Sequence, residues 1–424
     1  MAERLFFFHF LKIQEVKIMK PNLAVEYCGV KFKNPMVIAS ASPSKNGEYM
    51  KRCADSGAGG VIAKTFSPEP LAQKYVSPRF TVLNKKGWPH SYSNYSCEFL
   101  ATYNTEEWMQ EMKIAKAACD ERGCTLVGSI SGNSKESWTE LAKRMEDIGL
   151  PMLELNFGCP HPKDLGYKSG QELGNSPEAA AEVTRIVCDS VNIPVFVKLT
   201  SEAVNIVDVA GLCKASGAAG FTVVNRFSAL DVDIETGRPL LHGGYAGVGG
   251  PWMRPITLKW IAKIAAAHGM PISATNGIFS WEDVIKCIMC GATTVQTCTA
   301  IMYGPKQFGE VKVFLDGVKK YLVEHNIDDI NQLRGITLPQ ITTGDKVDRD
   351  HKAISRVVEE KCIGCGLCPS WCFYDAIRMV EKDGKKKALI DPNKCDGCGL
   401  CPALCPKDAI VMEGEVPIYL GDFN

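Results

Sequence analysis

Two sets of cysteines carry the chemistry in this sequence. Near the C-terminus, Cys362-x2-Cys365-x2-Cys368-x3-Cys372 and Cys395-x2-Cys398-x2-Cys401-x3-Cys405-Pro406 repeat one spacing twice. Three thiolates spaced by two residues can wrap one cluster, while the fourth, on a helical turn, points towards its neighbour. On that geometry one 4Fe–4S cluster takes Cys362, Cys365, Cys368 and Cys405, and the other takes Cys395, Cys398, Cys401 and Cys372. Structural zinc sites usually draw two ligands from each arm rather than four. Each half also ends in Asp-Ala-Ile, at 375–377 and 408–410, so the module is an internal repeat; Phe373 stands in the first half where the second has Pro406. Two adjacent clusters relay single electrons, so another part of the chain must exchange electrons with them.

The second set is one residue, Cys159, in Glu154-Leu-Asn-Phe-Gly-Cys-Pro-His161. The strand pattern at 152–156 breaks at Gly158, Cys159 and Pro160 into a loop that runs to Pro177. A thiol just past the C-terminal end of a barrel strand sits where barrels do chemistry, and a loop thiol can give up and regain a proton near neutral pH. The plainer reading is one more small buried hydrophobe among nineteen cysteines.

The usual go-between for one-electron carriers and hydride chemistry is a flavin. Lys64 and Lys198 end the second and fifth strands, where a cation can face a flavin's electron-rich edge. Gly247-Val-Gly-Gly250 can bring backbone amides close to a phosphate. Asn276-Gly277 and Cys298-Thr299 follow strands seven and eight, where barrels usually hold one. Singly, each has a plainer meaning as a rim lysine or a turn glycine. In register with the strand ends, they point together to flavin mononucleotide.

The elements that must position these residues form an alternating series. Strands are expected at 36–41, 60–65, 125–130, 152–156, 194–200, 220–225, 271–275 and 293–297. Helices are expected at 47–56, 106–122, 135–148, 177–191, 202–215, 256–268, 281–289 and 306–325. Near-continuous apolar strands suit a sheet covered on both faces, and eight β/α units make a closed TIM barrel. A doubly wound sheet would want G-x-G-x-x-G after its first strand, which is missing. A broken alternation at 23–32 predicts a hairpin across one end. The long loops 66–105, 157–176 and 226–254 all follow strands and gather over one mouth, the first able to act as a lid. The domains are therefore an N-terminal extension (1–20), the barrel (21–325), a linker (326–354) and a ferredoxin-like α+β module (355–424).

Lys+Arg and Asp+Glu are both 48 in 424 residues, which gives no global field for nucleic acid or an acidic membrane. Scattered cysteines fit a reducing cytoplasm. The run Leu5-Phe-Phe-Phe-His-Phe-Leu11 is shorter than a membrane span and is read as neither signal nor anchor, with Met19 an alternative start.

Asn156-Phe-Gly-Cys-Pro-His161, Ala39-Ser-Ala-Ser-Pro43, Lys64-Thr-Phe-Ser67, Lys198-Leu-Thr200, Ala274-Thr-Asn-Gly-Ile278 and the cysteine repeat resemble the dihydropyrimidine dehydrogenases. The likeness spans roughly residues 21 to 411, and the barrel is also similar to dihydroorotate dehydrogenases. The resemblance implies an FMN barrel that reduces a C=C bond, with Cys159 as general acid. It implies flavin contacts at Ala39, Ser40, Lys64, Thr65, Asn156, Lys198, Asn225, Gly249, Gly250, Asn276, Gly277, Cys298 and Thr299. Asn156 and Asn225 would also bind substrate, beside Glu98. Ser169, and His161 as a tuner of the thiol, rank below Cys159.

The chain departs from that family in one wall. Ser96 stands for an asparagine, with Asn94 as a substitute if the loop shifts; Gly158 replaces a serine and Arg226 a threonine. Arg226 suggests a carboxylate or another anionic substrate group, unless it turns outward to Asp231 or Glu235. The expectation is a small-molecule reductase fed by a ferredoxin or by a NAD(P)H-oxidising flavoprotein subunit, in a homodimer or hetero-oligomer. The alternatives are a dihydroorotate-type oxidase passing electrons out through the clusters, or a barrel that has lost catalysis and serves electron transfer.

Overall fold

The computed structural model describes residues 20–70, 73–74, 77–83, 93–158, 170–241, 244–347, 349 and 353–414. The chain divides into two compact units, Met1–Gln340 and Ile341–Asn424.

In the first unit, β1 (Val25–Tyr27) and β2 (Val30–Phe32) form an antiparallel hairpin turning at Gly29, whose φ of 80° lies in the left-handed region. The closed parallel barrel comprises β3 (Met36–Ile38), β4 (Gly60–Ile62), β7 (Thr125–Ile130), β8 (Leu153–Asn156), β9 (Val195–Lys198), β10 (Gly220–Val223), β13 (Ile272–Ala274) and β14 (Thr294–Thr297). These are the eight expected strands, all but β7 shorter than expected. The hairpin plugs the end where the strands begin, with the Tyr27 hydroxyl donating to the Phe221 carbonyl at 3.1 Å and its ring edge-on to Phe196.

The outer ring includes α1 (Gly47–Asp55), α2 (Thr105–Glu121), α3 (Lys135–Asp147), α4 (Gly170–Gly174), α5 (Pro177–Cys188), α6 (Ile206–Ala215), α7 (Arg254–His268), α8 (Trp281–Met289), α9 (Thr299–Tyr303) and α10 (Glu310–Glu324). Asn46, Asn104, Ser134, Ser176, Asn205 and Ser280 cap their helices by accepting a first-turn amide. Two of the long loops are not loops throughout. They supply β5 (Phe80–Leu83), β6 (Ser93–Ser96), β11 (Phe227–Ala229) and β12 (Ala246–Gly249), which join as a four-stranded sheet in the order β11-β12-β6-β5.

The linker expected at 326–354 begins too early. Ile330 and Leu333 are buried in the barrel core, and Asn22 bridges to Asp329. Residues as far as Gln340 therefore pack with the first unit.

The second unit pairs β15 (Ala353–Val357) with β18 (Ile410–Gly414), and β16 (Ile377–Lys382) with β17 (Lys385–Ile390), both antiparallel. Two short helices, α11 (Cys368–Trp371) and α12 (Leu400–Leu404), complete it around Cys368, Ile377, Ala388, Cys401 and Ile410.

Candidate active site and cluster sites

A cavity of about 910 Å³, open to solvent, lies where the barrel strands end. Its wall contains Ala39, Ser40, Lys64, Thr65, Glu98, Asn156, Lys198, Asn225, Arg226, Gly249, Asn276, Gly277, Cys298 and Thr299. Of the positions expected from sequence, Gly250 and Ser96 stand outside this lining. Ser96 is buried on β6, and Asn94 lines the cavity from the same strand. Cys159, His161 and Ser169 lie outside the described residues.

Strand ends deliver these groups because each β/α turn must reverse direction there. After β13, Asp283 accepts from the Phe279 amide at 2.9 Å, the Ser280 amide at 3.1 Å and Arg254 Nη1 at 2.8 Å. Gly277, at φ 84°, has no room for a side chain: a Cβ would strike the backbone where α7 starts.

Charge is unevenly matched. Lys64 Nζ donates to Glu98 Oε1 at 2.7 Å, both side chains buried, and Ser42 Oγ donates to the same oxygen. Burial pushes the Glu98 carboxyl up, but Lys64, Ser42 and Arg226 together outweigh it and hold the group below its ordinary value. Lys198 is only 6% exposed, and its ammonium has no hydrogen-bond or ion-pair partner among the described residues. A buried ammonium with nothing to pair with calls for an anion or electron-rich group in the cavity. The Cys298 thiol is pushed up to about 12, first by burial and then by Glu98, although the three cations pull the other way; it stays neutral.

Arg226 turns inward. Its Nη1 donates to Ser96 Oγ and, at 3.4 Å, to the Gly247 carbonyl. Among the described residues neither Asp231 nor Glu235 pairs with it. A Cβ on Gly247 would lie 2.6 Å from the guanidinium carbon, so this glycine makes room for Arg226 within a strand. Gly158 has a similar use. Its carbonyl accepts from Asn225 Nδ2, its amide donates to Asn156 Oδ1 at 3.2 Å, and a Cβ would lie 2.6 Å from the Asn225 Cβ. Two asparagines thus fix the backbone immediately before Cys159.

In the second unit the cysteines form two quartets. Cys362, Cys365, Cys368 and Cys405 line one cavity of about 380 Å³. Cys372, Cys395, Cys398 and Cys401 line another of about 320 Å³. In each quartet the fourth cysteine comes from the other repeat. The repeated Asp-Ala-Ile has a physical role. Asp375 and Asp408 take left-handed conformations at φ 49° and 46°, which turn the Ala376 and Ala409 amides onto Cys372 Sγ at 3.4 Å and Cys405 Sγ at 3.3 Å. Ile377 and Ile410, both buried, then begin strands whose remaining residues are half-buried or exposed. Amides donating to cluster sulfurs are one determinant of potential. The donor sets fit two clusters.

The family model described as dihydroorotate dehydrogenase matches residues 22–318. The chain belongs to the dihydroorotate dehydrogenase family. A second model, the 4Fe-4S dicluster domain, matches 347–412. The NAD-dependent dihydropyrimidine dehydrogenase subunit PreA of Escherichia coli (strain K12) is 29% identical, over 86% of this chain and 89% of its own. The chloroplastic dihydropyrimidine dehydrogenase (NADP(+)) of Arabidopsis thaliana is 30% identical, over 83% of this chain and 85% of its own. The catalytic subunit of Pyrococcus abyssi dihydroorotate dehydrogenase B (NAD(+)) is 29% identical, over 74% of this chain and 99% of its own. In fold, the barrel matches ligand-free dihydroorotate dehydrogenase of Eimeria tenella with a TM-score of 0.63 at 20% identity, covering 76% of this chain and 93% of that one. As a dihydroorotate dehydrogenase family member with a dicluster domain, the protein is a flavin- and iron–sulfur-dependent oxidoreductase acting on CH–CH bonds, with FMN and 4Fe–4S cofactors. Among the described residues no helix is long and apolar enough to cross a membrane.

Sequence reasoning missed the buried polar residues Ser129 and Thr222 and the cavity-lining Gln296, and gave Glu154 no role. The signal was available: these side chains interrupt otherwise apolar strands at fully buried positions.

Proposed function

We propose that this chain is the catalytic subunit of a cytoplasmic reductase that saturates the C=C bond of a cyclic amide or related conjugated substrate carrying an anionic group. One observation carries the reading: Lys64, Lys198 and Arg226 converge on a cavity whose described wall offers only Glu98 as a carboxylate. Bound FMN supplies the hydride and couples it to single electrons. Ala39, Ser40, Thr65, Asn276, Gly277 and Thr299 hold it, with Lys198 as the free cation at its electron-rich edge. Arg226, oriented by Ser96 and the Gly247 carbonyl, holds the substrate's anionic group, leaving Asn156, Asn225 and Glu98 to read its polar edges. Cys159, reached from a backbone that two asparagines pin, donates the proton to the second carbon. Electrons enter at the clusters from a ferredoxin or NAD(P)H-oxidising flavoprotein subunit, in a homodimer or hetero-oligomer. The broader coverage of the dihydropyrimidine dehydrogenases than of the Pyrococcus subunit supports reduction. The inward turn of Arg226 favours, as a second reading, oxidation of a dihydroorotate-like acid.

The test is anaerobic reduction with dithionite, then mixing with uracil, orotate and other carboxylated analogues. Flavin reoxidation by acids and not by uracil is expected; reoxidation by uracil alone would remove the role of Arg226. Cys159→Ala should keep its flavin and reoxidise roughly 10²–10⁴-fold more slowly. An unchanged rate in that variant would remove the general-acid assignment.

A further inference from the structure

The repeat in the second unit extends beyond its cysteines, and it breaks at a charge. Cys362 corresponds to Cys395, Gly364 to Gly397 and Ala376 to Ala409. The strands keep the same offset. Gly364 packs under the Lys386 carbonyl of β17, and Gly397 under the Ala353 carbonyl of β15. The Asp391 amide after β17 donates to the Ala376 carbonyl, and the Val358 amide after β15 to the Ala409 carbonyl, both at 2.8 Å. Ala388 accordingly lines the cavity of the first quartet (Cys362, Cys365, Cys368, Cys405), where Ser355 lines that of the second. One position earlier, Lys387 stands where β15 has Ile354.

Lys387 is half-buried, and its Nζ donates to the Cys362 carbonyl at 2.6 Å and to the Glu359 carbonyl at 2.7 Å. Its charge is thereby fixed on the backbone of a first-quartet cysteine. No carboxylate pairs with it among the described residues; the Glu359 carboxylate is held by Lys382 at 2.7 Å. The binding loops themselves do not differ in charge. Glu359, Glu360 and Lys361 in one are matched by Asp391, Lys394 and Asp396 in the other. On the opposite side of the balance, the second quartet has an added donor, the Ser355 amide, at 3.4 Å from Cys395 Sγ. The Ser355 hydroxyl has one proton and gives it to Met412 Sδ at 3.2 Å, not to Cys401 Sγ at 3.3 Å. A unit charge acts across several ångström of partly buried protein, and so outweighs one long amide bond.

We propose that Lys387 holds the first cluster at the higher potential of the two, so that electrons pass within the module from the second cluster to the first. A reduced cluster carries one more negative charge, which the fixed ammonium stabilises. In each transfer the second cluster is oxidised by one electron and the first reduced by it, with no bond made or broken. The inference rests on clusters filling both quartets, and not on the substrate, Cys159 or the direction of the net reaction.

The test is an anaerobic redox titration of the holoenzyme, with the low-temperature paramagnetic signals of the clusters read against potential. Wild type should reduce in two one-electron steps. Lys387→Gln, which can still donate to both carbonyls but has no charge, should lower the upper step and leave the lower one in place. At a fixed potential the reduced-to-oxidised ratio of that cluster should fall about tenfold, ~59 mV for one electron. Lys387→Arg should keep the upper step, as should Lys385→Met, which removes an exposed lysine from the same strand. Cys365→Ser, which takes a ligand from the first quartet, should leave the lower step alone. If Lys387→Gln loses iron, Ile354→Lys decides by raising the lower step. An unmoved upper step in Lys387→Gln at full iron, an equal fall in Lys387→Arg, or an unmoved lower step in Ile354→Lys would overturn the proposal. Survival of the upper step in Cys365→Ser would overturn it as well.

Discussion

The two cysteine quartets lie between Cys362 and Cys405, at spacings that repeat, whereas the groups converging on the barrel cavity come from as far apart as Ala39 and Met302. The first arrangement is local: short turns, left-handed aspartates and glycines hold eight thiols, and the small core contributes little else. A Cβ on Gly364 would strike the Lys386 carbonyl, and one on Gly397 the Ala353 carbonyl, so even the backbone approach is specified by residue type. The second arrangement is topological. No short segment contains the cavity; its wall is drawn from the ends of most of the barrel strands, which closure of the barrel brings together. Damage should therefore be all-or-none for each cluster and graded in the barrel.

The sharpest test of the local plan is Cys405, which belongs to the second repeat yet faces the first quartet. Cys405→Ser should remove the same cluster, by its low-temperature paramagnetic signal, as Cys365→Ser does. Iron should fall by about half in each, with FMN retained. Electron delivery to the flavin should stop in both. If Cys405→Ser instead matched Cys398→Ser, the crossed pairing would be wrong.

A smaller effect, but the largest expected in the barrel, comes from the buried Lys64–Glu98 pair. Lys64→Met leaves a desolvated carboxylate and should cost about 3–5 kcal/mol of barrel stability, while Lys64→Met with Glu98→Leu should recover much of it. Urea titration followed by flavin release gives both values. The pair also fixes an acid limit. Because the folded Glu98 carboxyl lies below its ordinary value of 4.5, its contribution is complete above that value and disappears as pH falls through the folded one. Glu98→Gln should lack that acid limb; an identical acid profile would mean that the pair does not set it.

The same contrast explains what could be read from the sequence. The cysteine quartets were legible because spacing alone defines them. The eight barrel strands were legible because apolar runs such as Val195–Lys198 are buried on both faces. The sheet over the mouth was not. Ser93–Ser96 is fully buried but reads Ser-Asn-Tyr-Ser, and Ala246–Gly249 is half glycine, so neither alternates. Their partners, not their composition, make them strands. Arg226 was legible as a substitution, but its direction depended on Ser96 and on the space at Gly247, which only pairing of β6 with β12 brings together.

The smallest effect sharpens the separation between the two plans. Asn104 caps α2, where the chain returns from the cover to the barrel: its Oδ1 accepts from the Glu107 amide at 2.9 Å, and Glu107 Oε2 accepts from the Asn104 amide at 3.1 Å. The cap is solvent-exposed, but it opens the turn that seats buried Trp108, stacked on Phe66. Asn104→Ala removes one half of this reciprocal pair and should cost about 1 kcal/mol, seen as an earlier urea midpoint for flavin release. Glu98 lies just before this turn, so a slightly loosened return should weaken FMN retention before anything else. The cluster signals should not change, because the quartets draw nothing from the barrel strands. A cluster signal that moved with Asn104→Ala would show that the two units are energetically one.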